Sequence, residues 1–136
     1  MKVLALDVGS KRIGIAKGYQ ENEMIFPVET LSRKSVRKDS AHIAQLCVKE
    51  GIKHVVIGLP LLADGTEGRS AKIARQIGDA LFEQTQIPIS YEDERDTSIE
   101  AQHRLQTAGK NSFKQKAIID QEAAIIIMER WFRNQS

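Results

Sequence analysis

Lys2-Val-Leu-Ala-Leu-Asp7-Val-Gly9-Ser-Lys11-Arg12-Ile-Gly14-Ile-Ala16-Lys-Gly18 is the stretch that decides the fold. Lys2 to Val8 is apolar almost throughout, and Asp-Val-Gly-Ser ends it. A short apolar run closed in this way predicts a central strand buried on both faces. Lys11-Arg12 can form a hairpin turn, and Arg12 to Gly18 follows as a second strand. Asp7 then stands at the carboxyl end of the first strand, where ligands usually bind in α/β sheets. The competing reading is a turn aspartate bonded to the backbone of residues 8–10.

Working outward, Met24 to Leu31 predicts a third strand, and Pro27 pushes it to a sheet edge because proline cannot donate to a ladder. Val36 to Glu50 predicts a helix, with Val36, Ser40, Ile43, Ala44 and Cys47 on one face and Gly51 as its stop. His54 to Ile57 predicts a strand, and Gly58 to Gly68 a turn-rich loop. Arg69 to Gln84 predicts a second helix, and Ile87 to Glu92 a strand opened by a proline. Thr97-Ser-Ile-Glu100 and Ser112-Phe-Lys-Gln115 both fit the capping-box pattern. The first opens a helix closed by Gly109, and the second opens the last helix, Gln115 to Phe132. Three early strands with short connections suggest an antiparallel meander, and the later alternation suggests parallel crossovers. The expected fold is α/β, a mixed sheet with helices on its faces.

The chain has 136 residues, which fits one domain spanning 1–136. An apolar share of 41% is too high for a disordered chain. The longest nearly apolar run, Val55 to Ala63, is far short of the ~20 residues a membrane helix needs. Asp7 interrupts the N-terminal apolar stretch too early for a signal peptide. A single cysteine, Cys47, excludes an internal disulfide and a multi-cysteine zinc site. These features predict a reduced, cytoplasmic protein. The net charge is only +2, but it is unevenly spread. Arg33, Lys34, Arg37 and Lys38 form one basic cluster, and Arg104, Lys110, Lys114 and Lys116 another. Such patches bind polyanions through phosphate contacts, or are simply solvated faces.

Against them stands Glu92-Asp93-Glu94-Arg95-Asp96, at the end of the last strand. Carboxylates this close repel one another unless water, arginine or a cation compensates. Asp120 shares a helical stripe with Ala123, Ala124, Ile127 and Trp131. A carboxylate on an apolar face is costly to bury and needs a partner. The two alanines let that helix approach the sheet closely. Asp7, an acid of the 92–96 cluster and Asp120 can therefore converge at one sheet edge. Convergent carboxylates are hard oxygen ligands that suit Mg²⁺ or Mn²⁺ over Zn²⁺. Two such ions can activate water and stabilise the leaving oxygen in phosphodiester cleavage.

In its motifs the chain resembles the YqgF-type family, described as Holliday junction resolvases or pre-16S rRNA nucleases. Leu6-Asp7-Val-Gly9-Ser-Lys11-Arg12-Ile-Gly14-Ile-Ala16 resembles the opening motif. Val56-Ile-Gly58-Leu-Pro60 with Asp64-Gly65-Thr66-Glu67-Gly68 resembles the second block. Asp93-Glu94-Arg95 resembles the third, and Ile119-Asp120 with Ala123-Ala124 the fourth. The resemblance covers nearly the whole chain. It implies an RNase H-like fold with five strands, the second antiparallel to its neighbours. It also implies Asp7, Glu94 and Asp120 as the metal-binding catalytic carboxylates, which selects Glu94 over Glu92 and Asp93. Asp96 departs from the pattern, where an apolar residue usually follows Asp-Glu-Arg.

The expected function is metal-dependent cleavage of nucleic acid, with processing of the 5′ end of pre-16S rRNA in ribosome biogenesis placed first. Holliday junction resolution in recombination and repair is the alternative, and a non-catalytic nucleic-acid-binding protein a further one. The substrate is structured RNA precursor or branched DNA, and the protein acts as a monomer or homodimer. Lys11, Arg12 and Arg69 are candidate phosphate contacts, and Lys110, Lys114 and Lys116 can track the strand beside Asp120. Arg95 serves substrate or pairs with its neighbouring acids. The three histidines lack a metal-like spacing and read as structural or surface, and Trp131 reads as core. Asp-x-Gly followed by a basic residue also resembles the phosphate-binding hairpin of actin-like ATPases. Those proteins use a cleft between two domains.

Overall fold

In the computed structural model, which describes residues 1–94 and 114–135, strand β1 (Lys2–Val8) lies at the centre of a five-stranded sheet. Its neighbours are β2 (Arg12–Tyr19), antiparallel, and β4 (His54–Leu59), parallel. The outer strands are β3 (Met24–Ser32), antiparallel to β2, and β5 (Ile89–Asp93), parallel to β4. The order is β3-β2-β1-β4-β5. This is the expected mixed sheet, its second strand antiparallel to both neighbours. Pro27 lies on the edge strand as expected, and the β2–β3 register shifts opposite Ile15 and Ala16.

Helices α1 (Val36–Glu50) and α2 (Arg69–Thr85) cover one face. Helix α3 (Lys114–Gln135) covers the other. Strand alternation sorts β1 between them. Leu4, Leu6 and Val8 pack with Ile43, Cys47, Ala74, Ile77 and Leu81. Val3 and Ala5 pack with Ala124, Ile127, Met128 and Trp131. Asp7 is the next position in that second row, so its side chain belongs to the α3 face. Each fully buried Leu or Ile contributes ~1.5–3 kcal/mol. The face under α3 is lined by smaller groups. Gly14, Ala16 and Gly18 of β2 stand opposite Asp7, Ala5 and Val3.

The ends of α1 follow from its sequence. Ser35 caps it by accepting a hydrogen bond from the Lys38 N–H at 3.1 Å, and Gly51 closes it in the left-handed region at φ 68°. Strand β4 runs two residues past the expected Ile57, because Gly58 and Leu59 pair with Glu92 and Asp93 of β5. The helix expected from Thr97 to Gly109, the second capping box at Ser112, and Arg95, Asp96, His103, Arg104 and Lys110 lie outside the described residues. So do the side chains of Lys114 and Lys116. Among the described residues, no helix is long and apolar enough to cross a membrane.

Glu50 fastens the far end of the sheet. Lys2 Nζ and Lys17 Nζ donate to its Oε1 at 2.8 and 3.1 Å. Those hydrogen bonds lower the Glu50 pKa from 4.5 to about 2. The stabilisation is therefore fully present above pH 4.5 and lost as pH falls through about 2. Glu50→Gln should cost ~1 kcal/mol at neutral pH, because the pair is part-exposed. Urea unfolding from pH 7 downward checks this: the gap from the parent should close below pH ~4.5.

Candidate active site

The carboxyl ends of β1 and β5 and the helix α3 come close together, and each supplies one acid. Asp7 ends the α3-facing row of β1. Glu94 directly follows β5, and its N–H donates to the Leu59 carbonyl at 3.3 Å. Asp120 lies in α3, where the helix crosses β2. A Cβ at Gly14 would run into the backbone carbonyl of Asp120, and Gly14 is the pairing partner of Asp7. A bare glycine thus lets the helix place Asp120 over the residue beside Asp7. Gly58 does the same for Glu94, since a Cβ there would collide with Glu94 Oε2 and Ile127 Cδ1. Further along α3, Gln121 Nε2 donates to Thr30 Oγ1 at 3.1 Å, and that hydroxyl donates to the Ala117 carbonyl at 2.7 Å.

Asp7 and Glu94 interact through a side-chain hydrogen bond. Burial raises the Asp7 pKa, the Glu94 hydrogen bond pulls it back, and the charge on Asp120 raises it further. Burial and the Asp7 charge push Glu94 from 4.5 up to about 10. Two buried carboxyls this close disfavour both being ionised, which favours a proton on the pair. Asp120 is turned differently. Its Oδ2 accepts from Arg12 Nε at 2.6 Å.

The donor set is three carboxylates without histidine or thiol, which fits a hard divalent cation in chemistry. The proton shared by Asp7 and Glu94 is what such a cation would displace. In placement, Asp7 and Glu94 meet, whereas Asp120 is within electrostatic range of Asp7 and engaged by Arg12. Among the described residues, no three His, Cys, Asp or Glu groups stand ready to hold a metal ion.

The candidate phosphate contacts occupy the same end of the sheet. Lys11 is exposed in the β1–β2 turn, where the Gly9 N–H donates to the Arg12 carbonyl at 2.8 Å. Arg69 is exposed at the start of α2, after the loop leaving β4. It lines an open groove of about 910 Å³ with Lys72 and Gln76. Of the first basic cluster, Arg33 is structural. Its Nε donates to the buried Asp39 at 2.7 Å, and its Nη1 reaches the Gly9 carbonyl at 3.2 Å. This ties α1 to the turn that carries Lys11. The sequence signal was available, since Asp39 lies between Val36 and Ile43 on the inward face of α1. His54 stacks on Trp131 with centroids 4.8 Å apart and shares a hydrogen bond with Ser90. His42 pairs with Glu29 at 2.6 Å.

Comparison with known proteins identifies the family and the fold. The family model described as "RuvX: Holliday junction resolvase" matches residues 1–134. A Dechloromonas aromatica protein named "Putative pre-16S rRNA nuclease" is 36% identical over 132 residues, covering 97% of this chain and 90% of that protein. One from Mycobacterium leprae with the same name is 38% identical, covering 94% and 70%. The Thermus thermophilus RuvC structure in complex with Holliday junction substrate superposes with a TM-score of 0.65 at 12% identity. That superposition covers 99% of this chain and 96% of RuvC, and it shows a shared RNase H-like fold. The family match spans almost every residue, including the strands and helix that carry the three acids, and this chain belongs to the RuvX Holliday junction resolvase family.

Proposed function

We propose that this protein is a metal-dependent nuclease that cleaves phosphodiester bonds, with the 5′ region of pre-16S rRNA as substrate. The hydrogen-bonded Asp7–Glu94 pair, with Asp120 beside it, is the observation that carries this reading. A buried acid pair that no apolar partner explains is where catalytic chemistry concentrates. The names given to the relatives from Dechloromonas aromatica and Mycobacterium leprae support the RNA substrate.

In this reading Asp7, Glu94 and Asp120 would hold Mg²⁺ or Mn²⁺. A bound divalent cation, singly or as a pair, supplies Lewis-acid polarisation and activates water. The chain's own residues do the rest. Asp7 and Glu94 give up their shared proton and present carboxylate oxygens from two neighbouring strand ends. The close packing of α3 over Gly14 holds the Asp120 backbone over the residue beside Asp7. Lys11, Arg12 and Arg69 take substrate phosphates, and Lys110, Lys114 and Lys116 follow the strand beside α3. We place the protein in the cytoplasm as one domain over residues 1–136, working as a monomer or homodimer.

Holliday junction resolution is the second reading, favoured by the family model's description and by the shared fold with RuvC. Both readings use one chemistry, so substrate choice separates them. Purified protein with Mg²⁺ or Mn²⁺ should cut a precursor RNA spanning the 16S 5′ end and leave a four-way DNA junction largely intact. Preferential junction cutting selects the resolvase reading. Salt-dependent binding without cleavage of either, unaffected by Asp7→Asn, selects a binding protein.

A further inference from the structure

Arg12 opens β2, on the strand row that faces α3 through Gly14. Its guanidinium bonds Asp120, the acid that the Asp7–Glu94 pair does not engage, with Nε to Oδ2 at 2.6 Å. The two side chains are 35% and 18% exposed, so the pair is partly open to solvent. A cation bound to Asp120 competes with the guanidinium for the same carboxylate, and the two positive charges repel at that range. We propose that Arg12 is a positioning residue that holds Asp120 until a divalent cation replaces it, and then turns its guanidinium to a substrate phosphate.

This inference rests on the metal-site reading above and names how that site is loaded. Without a cation, Arg12 compensates a carboxylate that would otherwise face Asp7 unscreened. With one, the positive charge on Asp120 is supplied from elsewhere. The released guanidinium keeps its place beside exposed Lys11, and its planar fork suits a phosphate. The same side chain therefore weakens cation binding and strengthens nucleic-acid binding. A purely structural ion pair would do neither, and its removal would loosen both.

The test is Mn²⁺ titration by calorimetry, alongside binding of a labelled RNA stem–loop in Ca²⁺ by fluorescence anisotropy. Arg12→Gln should bind Mn²⁺ about three- to tenfold more tightly than the parent. Its RNA affinity should fall roughly tenfold, with the salt slope reduced by about one. Arg12→Met keeps the apolar stem packed and should repeat both shifts. Unchanged or weaker Mn²⁺ binding in both folded variants overturns the exchange at Asp120. Unchanged RNA affinity overturns the turn toward phosphate. Asp7→Asn serves as the control. Mn²⁺ binding that survives Asp7→Asn removes the metal site itself, a different failure from one seen only in the Arg12 variants.

Discussion

Asp7→Asn should reduce cleavage at least about a thousandfold, or ~4 kcal/mol of transition-state free energy, while the fold survives. Asp7 is the hub of the site. It hydrogen bonds Glu94 and feels the charge of Asp120. Asparagine keeps the shape but removes the charge a cation needs. It also removes the repulsion among three acids, so metal-free thermal stability should stay level or rise. Glu94→Gln imitates the protonated acid and separates the two effects. The native pair keeps a proton that the unfolded chain releases above pH 4.5. Its contribution is thus fully present below pH 4.5 and lost as pH rises toward about 10. Metal-free parent protein should lose stability over that range, and Glu94→Gln should flatten the slope. Thermal melts across pH, run with a chelator, check the sign.

Gly14→Ala should be the most damaging single methyl group in the described chain. The added Cβ meets the backbone of Asp120, which cannot rotate away as a side chain would. Helix α3 must lift from β2, disturbing Ala124, Ile127 and Met128 beneath it. Overpacking of this kind costs ~3 kcal/mol, a fall of about 10 °C in Tm. Cleavage should fall further than stability explains, because Asp120 moves with the helix. Gly51→Ala is the comparison. Its Cβ meets nothing within 4 Å, and only its φ of 68° is strained. A smaller melting shift with full cleavage is expected there.

Much of this was legible in the sequence, for physical reasons. Lys2 to Val8 is too short and apolar to be anything but a buried strand, and its period of two places Asp7 with Val3 and Ala5. The stripe through Asp120, Ala123, Ala124 and Ile127 has helical spacing, and these alanines and Ile127 are fully buried. The choice of Glu94 required family resemblance, because strand alternation puts Glu92 and Glu94 on the same side. In the structure Glu92 accepts from Asn134 Nδ2 at 2.6 Å, while Glu94 reaches Asp7. Arg12 bonding Asp120 was hidden, since 108 residues separate them. So was the use of Gly14 and Gly58 as gaps, because a glycine in a strand also signals a bulge or bend.

Calorimetric Mn²⁺ titration in two buffers of different ionisation enthalpy addresses the metal site most directly. The parent should bind with release of a proton near neutral pH, since Asp7 and Glu94 surrender the one they share, and Asp7→Asn should abolish the binding. Mn²⁺ uptake by Asp7→Asn at parent affinity, or parent binding with no proton released, would contradict the role given to these acids.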